Sequence, residues 1–231
     1  MTFTALLTTL LVLISLLALA AGYLLGSIPS GYLAGRWIQG VDIRSLGSGS
    51  TGATNVLRVF GKGPALAVFL VDVLKGTAAV VLAKFLLQGD GFAAASNWIV
   101  ALVEVAAGLA ALAGHSWSFW LGGKGGKAVA TGLGMLLGMV PAVGLACFGI
   151  FLTTLSASRI VSLSSVVAAL SLPLLMLGSF AAAGSGVRPV YLVSALLTTA
   201  LVVWRHRSNL QRLLAGTEPK LGQAKSPAEG G

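Results

Sequence analysis

Apolar runs long enough to cross a lipid bilayer recur along almost the whole chain, and this repetition restricts the fold more than any other feature. A hydrocarbon core about 30 Å thick takes roughly 20 residues of α-helix. Inside it every backbone N–H and C=O needs a partner, which unbroken apolar runs achieve by coiling into helices. The pattern predicts spans at 3–25, 64–88, 97–114, 128–140, 142–157, 161–184 and 187–204. The composition, 56% hydrophobic and 9% charged, lies outside the range of soluble domains. The expected fold is all-α, a polytopic integral membrane helix bundle with about seven transmembrane helices. Residues 1–216 read as a single transmembrane domain. Residues 217–231 read as a polar C-terminal tail, disordered beyond its first few positions. The first run carries no basic n-region, since Arg36 is the first Lys or Arg, so it reads as a retained span.

The stretch 128–157 decides the orientation. It is long for one crossing and short for two, with Pro141 and Gly144 where a turn could fall. Two crossings put 26–63, 115–127, 158–160 and 205–231 on one side. Together with Lys75, that side then holds thirteen of the fifteen Lys and Arg residues, leaving only Lys84 and Arg188 elsewhere. The positive-inside rule therefore favours seven spans, with the N-terminus outside and the C-terminus cytoplasmic. The net charge of +9 is accounted for by topology and anionic ligands, without nucleic acid. A single cysteine, Cys147, rules out an intrachain disulfide. Six acids and two histidines leave little from which to build a metal site.

Four polar clusters fall on the basic side, at 26–58, 114–131, 158–165 and 204–218. A bundle brings its loops together at one end, so these clusters are the candidate site. Hydroxyls, close-approach glycines and a guanidinium, as in Gly40 to Arg58, suit a phosphate-bearing ligand. The second cluster contains Gly122-Gly123-Lys124-Gly125-Gly126-Lys127, but Leu121 and Ala128 stand where a Walker A motif needs Gly and Ser or Thr. Backbone donors, a helix N-terminus and two ammonium groups still suit an anion; the alternative is a basic turn that only holds topology. There is no G-x-S-x-G elbow. Trp120 and Gln211 lie five residues after His115 and His206, so a His-x4-Asp pair is missing. Any catalysis here must work mainly by placing anionic substrates and stabilising charge. Asp72 and Lys75 lie three apart on one helix, as a structural pair or as part of the site. Glu104 stands mid-span with no partner evident in the sequence. His115 reads equally as a loop-orienting hydrogen bonder or a ligand. Trp98, Trp117, Trp120 and Trp204 read as interface-belt aromatics.

On these residues the chain resembles the bacterial acyl-phosphate:glycerol-3-phosphate acyltransferase family. The likeness runs through Gly26-Ser27-Ile28-Pro29, Asp42-Ile43-Arg44, Gly47-Ser48-Gly49, and Gly52-Ala53-Thr54-Asn55 leading to Arg58. It continues with Asp72-x-x-Lys75-Gly76, Gly114-His115, Lys124-Gly125-Gly126-Lys127 and Val161-Ser162-Leu163, and ends in His206-Arg207, Asn209, Arg212, Gly216 and Glu218. Two positions depart from the family pattern: Ser50 stands where Asn is usual and Ala128 where Gly is frequent.

The resemblance implies a bacterial cytoplasmic-membrane enzyme with its active site facing the cytoplasm. It would transfer a fatty acyl group from acyl phosphate to the 1-hydroxyl of glycerol 3-phosphate, giving lysophosphatidate and inorganic phosphate. No cofactor, no nucleic acid and no obligate protein partner are implied, and membrane lipid is the surrounding medium. Ser48 and Arg58 match the family's essential pair, and His206 and Asn209 complete the catalytic group. Gly47, Gly49, Ser50, Thr54 and Asn55 are expected to hold a phosphate. Gly123, Lys124, Gly125, Gly126 and Lys127 are assigned to glycerol 3-phosphate, Ser162 to a hydroxyl contact, and Glu218 to a structural role. Ser48 also reads as a turn former and His206 as an interfacial residue. The alternative from another class is a transporter or channel for phosphate esters or small anions; a non-catalytic lipid-binding subunit is a third reading.

Overall fold

The computed structural model of the chain describes residues 3–87, 97–182 and 189–222. Ten α-helices follow one another in the described residues: α1 (Phe3–Ser27), α2 (Ser30–Gln39), α3 (Ala53–Phe60), α4 (Lys62–Leu86), α5 (Asn97–Ser116), α6 (Val129–Met139), α7 (Pro141–Ser158), α8 (Val161–Ala182), α9 (Pro189–Arg205) and α10 (Arg207–Leu214). Single turns of 3-10 helix stand at Ile43–Ser45 and Phe119–Leu121. The all-helical expectation holds.

Among the described residues five stretches are long and apolar enough to cross a membrane: Ala5–Gln39, Lys62–Leu86, Trp98–Leu121, Pro141–Ser158 and Val161–Ala182. A sixth is counted if α9 and α10, bent by 59° at their junction, form one span. Each expected span contains one of these helices or α6, but length does not support a full crossing for every one. The span expected at 128–140 is the 11-residue α6, about 16 Å long and roughly half the hydrocarbon thickness. It is short because a glycine-lysine turn precedes it and Pro141 already opens α7 at its first turn. The expected ends at 88, 183–184 and 187–188 lie outside the described residues.

Without a hydrophobic drive between helices in lipid, close packing decides which helices pair. A Cβ at Gly26 would sit 2.1 Å from the Ala111 carbonyl oxygen, which brings α1 against α5. A Cβ at Gly134 would sit 1.9 Å from the Val73 oxygen, and one at Gly76 2.1 Å from the Thr131 oxygen, which brings α4 against α6. Thr77 Oγ1 donates to the Gly134 carbonyl across that seam (2.9 Å). The main core, including Val80, Leu112, Met135, Leu172 and Met176, fills the space between α4, α5, α6, α8 and α9. Glu104 has partners after all. Tyr191 Oη donates to its Oε2 at 3.0 Å and Lys84 Nζ lies 3.9 Å away, joining three helices far apart in sequence.

Ala128, where the resemblance leads one to expect glycine, caps α6 in the left-handed region (φ 59°) and is fully buried. An L side chain there costs roughly 1–2 kcal/mol, while glycine costs about 0.4–1 kcal/mol of unfolded-chain entropy. Ala128→Gly also removes a fully buried methyl worth about 0.8 kcal/mol, so the effects nearly cancel and the unfolding temperature is expected to move by less than about 3 °C, read by thermal unfolding in detergent.

Candidate functional site

The four polar clusters converge. One cleft, enclosing about 790 Å³ with its open mouth included, is lined by Ser48, Ser50, Thr54, Asn55 and Arg58 from the first cluster and by His115, Lys127 and Ala128 from the second. Ser162 and Ser165 come from the third, and His206, Asn209 and Glu218 from the fourth.

The first wall is a turn tied around one amide. Asn55 is buried on α3, and its Oδ1 accepts from the Ser48 N–H (2.8 Å). Its Nδ2 faces the carbonyls of Ile43, Leu46 and Ser50 at 3.3, 3.0 and 2.9 Å. Asn55 was expected to hold substrate phosphate; its amide is instead spent on the turn, since an Asn has only two N–H donors and one carbonyl to give. Gly47 (φ 58°) and Gly49 (φ 70°) shape the same turn, and a Cβ at Gly47 would meet Asn55 Oδ1 at 2.2 Å. Neither lines the cleft, so their contribution is conformational. The Ser50 hydroxyl accepts from the Gly52 N–H (3.3 Å), a local turn bond that asparagine also makes and serine makes more weakly. Ser48 is exposed at the mouth, with Thr54 and Arg58 beside it, and Arg58 projects from the last turn of α3. Among the described residues no carboxylate lies within ion-pair distance of Arg58.

The second loop divides. Lys127 enters the cleft, whereas Gly123, Lys124, Gly125 and Gly126 do not line it, and Lys124 is exposed. The loop leaves the end of α5 and turns back on it: the N–H groups of Gly125 and Gly126 donate to the carbonyls of Ser116 (3.2 Å) and His115 (3.0 Å). A Cβ at Gly126 would lie 2.2 Å from His115 Nε2. The imidazole therefore backs the loop at one end, while its Nδ1 lies 3.5 Å from Asp72 Oδ1. Asp72, buried, also pairs with Lys75 Nζ (2.7 Å) and accepts from Ser30 Oγ (2.6 Å), and Lys75 donates to the Ile28 carbonyl (3.0 Å). The Asp72–Lys75 pair thus does both things the sequence left open: it lines the cleft through Asp72 and ties the start of α2 to α4.

The last wall is a chain of polar groups. Lys127 Nζ donates to Asn209 Oδ1, and Asn209 Nδ2 donates to Glu218 Oε1 (2.6 Å). Ser162 Oγ donates to the same oxygen (2.7 Å) and Arg212 Nε to Oε2 (2.7 Å). The expected hydroxyl contact from Ser162 is thus directed to Glu218. Burial alone raises the Glu218 carboxyl, but the bonds from Asn209, Ser162 and Arg212 hold it below the ordinary glutamate range. The first residues of the tail therefore belong to the bundle; the Leu221 N–H also donates to the Arg159 carbonyl (2.7 Å). The remainder of the tail, 223–231, lies outside the described residues. His206, buried, points Nδ1 at the Val202 carbonyl (2.7 Å). A carbonyl only accepts, so Nδ1 carries a proton and Nε2 is the nitrogen left for the cleft.

Burial lowers the Lys127 ammonium to about 8, helped by the charges of Arg212, Arg58 and Arg205 and opposed by Glu218. Its positive charge is complete below that pH and lost above it. If it holds a phosphate, the KM for that substrate is expected to stay flat from pH 7 to about 8 and to climb beyond. Initial rates from pH 7 to 9.5 read this directly, and Lys127→Arg should remove the alkaline rise.

Below the polar groups lies an apolar pocket of about 580 Å³ with its open mouth included, and Leu133, Leu136, Cys147, Phe148, Ala169 and Leu172 stand on its walls. It shares Phe69, Val129, Ala130, Phe151 and Ser165 with the cleft. The arrangement suits an amphiphile with an anionic head among Arg58, Lys127 and the hydroxyls and a hydrocarbon tail among the helices. Arg205 is not legible as a functional residue in the sequence, because its partners lie about 80 positions earlier in the chain.

Comparison with known proteins agrees with this geometry. The family model for glycerol-3-phosphate acyltransferase matches residues 16–216. Proteins named glycerol-3-phosphate acyltransferase are 66% identical over 210 residues in Prochlorococcus marinus strain MIT 9313 (91% of this chain, 96% of that one) and 61% identical over 212 residues in Parasynechococcus marenigrum strain WH8102 (92% of each). Crystal structures of PlsY (YgiH), an integral membrane glycerol 3-phosphate acyltransferase, in glycerol 3-phosphate and lysophosphatidic acid forms, superpose with a TM-score of 0.74 at 36% identity. The match covers 90% of this chain and 96% and 95% of those.

Proposed function

Because the chain belongs to the glycerol-3-phosphate acyltransferase family, we propose that it acylates glycerol 3-phosphate to lysophosphatidate, with acyl phosphate as the donor. The observation that carries this reading is the meeting of two cations, Arg58 and Lys127, in one cleft that opens on an apolar cavity. Two phosphate-bearing substrates need two sources of positive charge, and only one of them brings a tail to bury. Acyl phosphate is a mixed anhydride, so the acyl carbon is already activated. The 1-hydroxyl oxygen of glycerol 3-phosphate bonds to that carbon, the carbon–oxygen bond to phosphate breaks, and inorganic phosphate departs with the hydroxyl proton. The protein aligns the partners and neutralises charge, which can supply most of the acceleration. Arg58, Ser48 and Thr54 line one side of the reacting groups, and Lys127, Asn209 and His206 the other. The hydrocarbon tail enters from the bilayer between helices and rests among Phe148, Phe151 and Leu172.

The protein is read as a multi-pass protein of the bacterial cytoplasmic membrane, crossing seven times, with its N-terminus outside and its C-terminus and active site on the cytoplasmic side. The support is the distribution of charge, since the cleft's cations share that end with most of the Lys and Arg residues. Purified protein in detergent, given labelled glycerol 3-phosphate with either palmitoyl phosphate or palmitoyl coenzyme A, tests the reading. Labelled lysophosphatidate is expected from palmitoyl phosphate. Product from the thioester alone would overturn the choice of donor, and product from neither would overturn acyl transfer.

A further inference from the structure

We propose that Arg205 is a positioning residue, a clamp that sets the glycine-lysine loop so that Lys127 points into the cleft. Arg205 ends α9 and does not line the cleft. Its Nε donates to the Gly126 carbonyl (3.1 Å), and its Nη2 to the carbonyls of Gly126 (2.6 Å) and Gly125 (3.2 Å). The guanidinium carbon lies 5.9 Å from the Trp117 ring centroid and 5.8 Å from that of Trp204, and the two rings are 5.9 Å apart. The aromatic pair holds the planar group in place, and the fork bonds what it faces.

The same two residues are held from the other side, where their N–H groups bond to the carbonyls ending α5. Both faces of the Gly125–Gly126 segment are thus fixed, by α5 through the N–H groups and by α9 through the carbonyls. Glycine segments have the widest backbone freedom of any, so a loop of this composition needs such external ties to present one conformation. The next residue is Lys127, whose ammonium reaches Asn209. Releasing the carbonyls leaves the loop's N–H bonds and the Lys127 charge intact but widens the range of positions the ammonium visits. The expected consequence is weaker binding of the phosphate that Lys127 holds, with less effect on the chemical step.

This inference rests on the acyl-transfer reading for its kinetic form, and a binding measurement frees it from that dependence. Arg205→Ala is expected to raise both the KM for glycerol 3-phosphate and its calorimetric Kd about tenfold, with kcat and the KM for palmitoyl phosphate changing less than about twofold. Arg205→Lys keeps the charge but loses the fork, so a rise of about threefold is expected. Thermal unfolding of both variants reports folding, and the lysine variant carries the test if the alanine variant fails to fold. An unchanged Kd for glycerol 3-phosphate in a folded variant would overturn the proposal. So would an equal loss in kcat and in both KM values, which signals a general structural role. A wild-type protein that binds glycerol 3-phosphate without transferring an acyl group would instead overturn the acyl-transfer reading, while the binding comparison still decides the clamp.

Discussion

Arg58→Ala is expected to lower kcat/KM for acyl transfer by about a thousandfold, within the range seen when a charge-stabilising group is removed from an active site. Arg58 is the cation of the first wall, it faces the cleft, and no carboxylate of the described residues offsets its charge. The two acids nearest in sequence are already engaged: Asp72 pairs with Lys75 at 2.7 Å, and Asp42 is bound bidentately by Arg44 at 2.7 to 3.1 Å. Arg44 holds the Asp42 carboxyl below its ordinary range. The loss should not be repaired by Arg58→Lys, because an ammonium meets a phosphate as a point charge and cannot present two parallel N–H bonds. Steady-state kinetics with both substrates varied will show it. A lysine variant with near-normal kcat/KM would mean that Arg58 supplies only electrostatic attraction from the rim.

Glu218→Ala is expected to be the most damaging change outside the cations. One carboxylate accepts from Ser162, Asn209 and Arg212, and its removal strands buried donors, which costs about 1–3 kcal/mol for each such group. Arg212 is partly exposed and regains water, so a total of about 2–4 kcal/mol is the expectation, or a fall of roughly 4–16 °C in unfolding temperature. Activity should fall further than stability alone explains. Asn209 loses the partner that orients its amide, and Lys127 then loses Asn209 Oδ1. Glu218→Gln separates the two effects: it keeps the shape but presents an N–H₂ where an acceptor is needed. The glutamine variant should therefore fold better than the alanine variant while remaining impaired. Full activity in a folded Glu218→Gln protein would show that the Asn209–Lys127 geometry does not depend on the carboxylate.

The all-helical architecture and the convergence of the polar clusters were legible in the sequence, because apolar period and loop chemistry are local signals. Pro141 at the start of α7 marks a boundary for the same reason. The division of labour within the clusters was not legible. Asn55 and Ser162 have side chains suited to bind phosphate, yet both are directed to protein partners, at the first-loop turn and at Glu218. Nothing in the order of residues distinguishes an amide that faces a ligand from one that ties a turn. The glycines read as phosphate-cradling residues do not line the cleft; Gly47 shapes the first turn and Gly126 packs closely beside His115. Glu104 lacked a partner in sequence because Tyr191 and Lys84 sit on other helices. Arg205 was hidden in a basic run that topology alone accounts for.

Acyl transfer in one cleft between two phosphate-bearing substrates is read at once by phosphate release. Purified protein would be given palmitoyl phosphate with and without glycerol 3-phosphate, beside Arg58→Ala. Release is expected to require glycerol 3-phosphate, to match lysophosphatidate formation one for one, and to vanish in the variant. Release without the acceptor, or none from folded wild-type protein, would contradict acyl transfer in this cleft.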